Sequence, residues 1–226
     1  MNNLSNTEQL RTYFREQRDI QNFPDNFRLR IHRALSWLGK AEKLDISKEL
    51  DMKFICLWIA FNAAYARELE DNTGKDRATF NEFLLRICAF DKEQVIYNLV
   101  WKKFSQSIRL LLDNKYVFQP FWDFHNDKIS EKDYLMAEMK ERERFLSALE
   151  QQKTERILDV MFSRLYTLRN QILHGGATFD SRVNREQLKD GCNILSLLIP
   201  AMLQIMMENH SEIDWGKPFY PVVNAL

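Results

Sequence analysis

Turn-forming residues are scarce in this chain: six glycines and five prolines in 226 residues. That scarcity excludes collagen-like and low-complexity architectures. Cysteine is also sparse. Cys56, Cys88 and Cys192 lie far apart in apolar stretches (FICLW, LRICAF, GCNILSLL). They suit buried thiols in a reducing compartment and supply neither a disulfide framework nor a zinc-ligand spacing. Charge of one sign is not in excess, because 32 Lys and Arg balance 32 Asp and Glu. No global positive field draws the chain to a polyanion, so any nucleic-acid contact must come from a local patch.

Long hydrophobic runs are missing too. The longest, Leu195 to Met207, is about 13 residues and contains Pro200, short of the ~20 that cross a bilayer. The opening MNNLSNTEQLRTYFREQR has no apolar signal-peptide core. The expectation is a cytoplasmic protein with no membrane contact. No Gly-rich phosphate loop, HExxH, CxxC or GxSxG occurs, so no cofactor and no metal is called for.

What is abundant is apolar and aromatic mass: 45% hydrophobic residues, with 16 Phe and 5 Trp. Apolar residues recur at helical spacing almost throughout and long alternating patterns are absent, which predicts an all-α fold. One helix is expected over residues 5 to 20, ending near Asn22-Phe23-Pro24. A second starts at Pro24 and runs to Leu44, with Phe27, Ile31, Leu35 and Leu38 on one face. Ser47, Leu50 and Asp51 open the most apolar helix, 48 to 70, containing FICLWIAFNAAYA. Asp71 to Gly74 read as a turn and Thr79 as an N-cap for a helix over 80 to 89. Another helix spans 92 to 113, followed by an aromatic segment, Tyr116 to Phe124, read as a packed loop with a short helix. Residues 131 to 151 have the mixed charges of a solvated helix face. Thr154 is expected to cap the next helix and Gly175-Gly176 to end it. The last runs from 183 to 209 with a kink at Pro200. The weakest boundary falls near residue 46, giving an N-terminal helical extension over 1 to 45 and a helical domain over 46 to 226.

Chemistry concentrates in Arg169-Asn170-Gln171-Ile172-Leu173-His174, followed by Gly175-Gly176. With Leu168 at zero and about 100° per residue, Ile157, Met161, Leu165 and Ile172 form a stripe between about −20° and +60°. Asn170 falls near 200° and His174 near 240°, away from that stripe, with Arg169 on its flank near 100°. His174 is therefore expected to face solvent or a second subunit. Asn170 and His174 are four apart and share a face. The glycines let the backbone turn directly after the imidazole, and the carbonyl end of a helix favours a cationic ring. A guanidinium, a carboxamide and an imidazole together suit phosphoester chemistry. Geometry alone also fits an ordinary polar face closed by a glycine cap.

The motif resembles that of the HEPN domains (higher eukaryotes and prokaryotes nucleotide-binding), in which Arg is followed after four to six residues by His near a helix end. The preceding LYTLRN, the glycine pair and the apolar LWIAFNAAYA helix resemble the ApeA-like branch, over residues 48 to 210. The resemblance implies a HEPN-like antiparallel helical bundle, here with additional N-terminal helices. It also implies a metal-independent endoribonuclease of toxin or antiphage-defence type, acting as a homodimer with a composite active site and answering to an antitoxin or regulatory protein. His174 would move the proton of an RNA 2′-hydroxyl or of the leaving oxygen, Arg169 would hold the scissile phosphate, and Asn170 would orient one or the other. The product would carry a 2′,3′-cyclic phosphate. The family also has members that bind without cutting, so a non-catalytic module that binds a protein, nucleotide or RNA is the second expectation. A purely structural bundle is the third.

Other candidates read as scaffold. The cluster Arg28 to Arg33 around His32 is expected to be a solvated face. His125 with Phe121, Trp122 and Phe124 could stack bases, although packing is the commoner use of such rings. His210 ends the last helix. Glu141, Glu143 and Asp133 read as members of surface ion pairs.

Overall fold

The computed structural model describes residues 6–66, 76–212, 214–218 and 220. Among them the only regular elements are helices, so the chain is all-α. It divides into two compact units, Met1–Glu93 with Cys192–Leu226, and Gln94–Gly191. The boundary expected near residue 46 falls inside the first unit.

The first unit contains α1 (Thr7–Ile20), α2 (Asp25–Glu42), α3 (Leu50–Tyr65) and α4 (Asp76–Ala89). Asn6 and Gln9 close a capping box at the start of α1, and Pro24 precedes α2, where its fixed φ suits a helix entry. α2 and α3 pack along each other, and Ile31, Leu35, Leu38, Phe54 and Phe61 on them are fully or nearly fully buried. α3 ends at Tyr65, earlier than expected, because Ala66 turns to extended backbone. The expected turn at 71 to 74 lies outside the described residues. Thr79 sits inside α4, not at its start.

The basic cluster on α2 is only partly solvated. His32 is exposed, but Arg30 is fully buried. Its Nη1 donates to the carbonyls of Ala64 (2.9 Å) and Ala66 (2.8 Å) and its Nη2 to that of Gly216 (3.1 Å). A buried guanidinium thereby satisfies the unpaired carbonyls at the end of α3. His210 lies past the last helix with its ring 4.5 Å from that of Phe23.

In the second unit the helix expected over 92 to 113 is broken. α5 (Val95–Asn98) passes into a π-turn, Leu99–Lys103, and the chain restarts as α6 (Ser105–Asp113). A 3₁₀ turn, Lys115–Val117, and α7 (Gln119–His125) fill the aromatic segment. α8 (Glu131–Glu150) opens on a Ser130–Asp133 capping box, and α9 (Thr154–Leu173) follows. Thr154 does not cap α9. It is the first helical residue, and its hydroxyl accepts the Trp101 indole N–H at 2.9 Å. α10 (Arg185–Glu208) starts in the second unit and continues in the first, with Pro200 inside it. Among the described residues it alone is long and apolar enough to cross a membrane, and 72% of that stretch is buried inside the protein.

Candidate active site at the end of α9

α9 buries more of its circumference than a narrow stripe. Ile157, Met161, Leu165 and Leu168 are buried as the periodicity requires, but so are Leu158, Val160 and Phe162. On the wheel the buried sector runs from about −100° to +120°. The remaining sector carries Tyr166, which is exposed, Asn170, half-buried, and His174, exposed. Ile172 is half-exposed, since it lies at the end where the helix leaves the core.

The helix stops at His174, whose N–H still reaches the Asn170 carbonyl at 3.0 Å. Gly175 then takes φ +72 with open space around its Cα, a conformation that strains any side chain bearing a Cβ. Gly176 is close-packed instead. A Cβ there would lie 3.3 Å from the Gln171 carbonyl oxygen. Ala177 N–H closes the turn onto that same carbonyl at 2.9 Å.

Within the motif, Asn170 contacts both of the other residues. Its side-chain Oδ1 accepts from Arg169 Nη1 at 2.8 Å, and its main-chain carbonyl holds His174 N–H. The guanidinium of Arg169 lies 5.5 Å from the Tyr166 ring centre, and its Nε is buried with no hydrogen-bond partner among the described residues. A guanidinium held by a carboxamide is the kind of group that pairs with a phosphate. The His174 ring makes no hydrogen bond among the described residues and stays open to solvent.

Gln171, Asn184 and Arg164, to which the sequence alone assigns no role, organise this end of the unit. Gln171 Nε2 donates to the Tyr116 carbonyl at 2.7 Å, and Trp122 Nε1 donates to the same oxygen at 2.9 Å. Asn184 Nδ2 donates to Gln171 Oε1 at 3.0 Å, tying the segment after the turn back to the helix. Arg164, 7% exposed, pairs with Glu141 at 2.6 Å and stacks 4.2 Å from the Phe118 ring centre. Burial pushes the Arg164 guanidinium below its ordinary value, and Glu141 opposes that shift. Glu141 is thus no member of a surface pair, while Asp133 is spent on the α8 capping box. A partial signal for Arg164 is present in the sequence: it falls near −40°, at the edge of the apolar stripe.

Residues 153 to 185 hold six Lys and Arg against three Asp and Glu. The structure consumes two of those cations, Arg164 by Glu141 and Arg185 by Asp180 at 2.7 Å. Among the described residues no group of three or more His, Cys, Asp or Glu could hold a metal ion. No family model, no curated protein and no solved structure matches this chain.

Proposed function

We propose that the chain is a metal-independent endoribonuclease of the HEPN type, with Arg169, Asn170 and His174 as its catalytic residues. The observation that carries this reading is Asn170, bonded through its side chain to Arg169 and through its backbone to His174. A phosphate-binding cation is thereby held by the residue one helical turn before the proton-transferring histidine, on the same face. The ribose 2′-oxygen attacks phosphorus, the bond to the 5′-oxygen breaks, and a 2′,3′-cyclic phosphate remains. One imidazole takes the 2′ proton and one supplies a proton to the leaving 5′-oxygen. Arg169 balances the charge that builds on the non-bridging oxygens.

Two such imidazoles are available if protomers pair across this face. Tyr166, Leu173, Phe179 and Val183 are all exposed around the motif, and such a patch is the kind that subunits cover. The same exposure favours a second reading, in which the face binds a protein partner and cuts nothing. Incubation with varied RNAs in EDTA separates the two. The wild type should leave 2′,3′-cyclic ends, and His174→Ala should lose roughly 10²- to 10⁴-fold in rate. Equal cleavage by both proteins, or none by either, sinks the enzymatic reading.

A further inference from the structure

We propose that Tyr116, with Lys115 beside it, is a stacking subsite for an unpaired base of single-stranded RNA, set next to the motif on α9; this rests on the ribonuclease reading above. The placement comes from Gln171, whose side chain is bonded to the Tyr116 carbonyl. Gln171 lies three residues before His174, so the two are neighbours on one side of the helix. The 3₁₀ turn thus meets α9 at Gln171, about one helical turn before His174.

The ring is presented in a held position. Asn114 Oδ1 accepts the Tyr116 N–H at 2.8 Å, and Asn114 itself is bonded to Asn184 (3.4 Å) and, through its carbonyl, to Arg164 (3.4 Å). Phe121 backs the Tyr116 ring edge-on at 5.4 Å and Trp122 lies 6.5 Å away. Tyr116 nevertheless remains 44% exposed. The Phe121, Trp122 and Phe124 cluster singled out in the sequence therefore serves largely as support, and the offered ring is the neighbouring tyrosine. Phe124 is stacked against Tyr134 at 5.7 Å.

Lys115 adds the charge. It is exposed, its Nζ lies 5.4 Å from the Tyr116 ring centre and 5.5 Å from that of Phe121, and it has no ion-pair partner among the described residues. An exposed cation over a ring is weakly held, so it is free to meet a phosphate. A fixed, half-open aromatic beside an uncommitted cation is the combination by which proteins bind single strands, since every base has a face to stack.

Binding of a 2′-O-methyl oligoribonucleotide, which lacks the nucleophile, tests the subsite apart from cleavage. Full-length Tyr116→Leu should bind roughly 5- to 150-fold more weakly, and Tyr116→Phe should bind like the wild type. Lys115→Gln should lower the slope of log affinity against log salt by about one phosphate contact. The substituted ring leaves the Tyr116 carbonyl in place, and melting temperatures show whether each variant is folded. Unchanged affinity in folded Tyr116→Leu, or no binding by the wild type, overturns the proposal. If Tyr116→Leu is unfolded, an unchanged salt slope in Lys115→Gln overturns it instead. Parallel assays on unmodified RNA keep the two ideas apart. Cleavage that depends on His174 with affinity indifferent to Tyr116 removes the subsite alone, whereas absent cleavage with Tyr116-dependent binding removes the nuclease alone.

Discussion

Single side chains here act through what they are denied as much as through what they touch. Arg164 is removed from water and pairs directly with the Glu141 carboxylate. Removing one partner of such a pair leaves the other charge uncompensated. Arg164→Met or Glu141→Leu alone should therefore lower stability by about 3 kcal/mol, and the double variant should recover part of it, as denaturant titration would reveal. Asp45 offers a contrast at the surface. Its carboxylate accepts the Ser47 N–H at 2.8 Å and then the Ser47 hydroxyl, which holds its pKa below the ordinary value. A depressed folded pKa means the stabilisation is present above the unfolded value, near 3.9, and fades as pH falls through the folded one. The melting-temperature gap between wild type and Asp45→Asn should accordingly be widest near neutrality and close at low pH.

At the level of elements, ends marked by glycine or proline are more legible than ends marked by threonine. Gly175 advertised the end of α9, and Pro24 the start of α2, because each has a backbone preference that the local structure needs. The π-turn at Leu99–Lys103 left no trace, since one inserted residue alters neither composition nor the general apolar period. Thr154 was misread because a threonine that can cap can equally accept a tryptophan N–H from residue 101. The candidate site is legible only where it is local. Arg169, Asn170 and His174 sit in six consecutive residues, whereas the bond from Gln171 to Tyr116 spans 55 positions that no local pattern relates. The two glycines after the motif should respond differently to substitution. Gly175→Asn, which tolerates the left-handed region, should melt close to the wild type, and Gly175→Val should cost about 1–2 kcal/mol. Gly176→Ala should disturb Gln171, and it should perturb binding more than it perturbs melting.

For the whole molecule, the unit that holds the motif is a continuous stretch set within a unit made of two stretches. A tryptic cut at Lys128, whose side chain is 66% exposed, would leave fragments that each supply part of both units. They should co-elute on size-exclusion chromatography in buffer and part only in denaturant; separation in buffer would contradict the contacts Trp101–Thr154 and Tyr116–Gln171. The same arrangement governs how the chain is made. A ribosome delivers Gln94–Gly191 in full while the first unit still lacks Cys192–Leu226, including the buried Leu195, Leu198 and Met202. Domains commonly fold from the N-terminus as they emerge. Here the order inverts: the inner unit can finish first, and the unit that contains residue 6 must wait for residues that follow the inner unit in the chain.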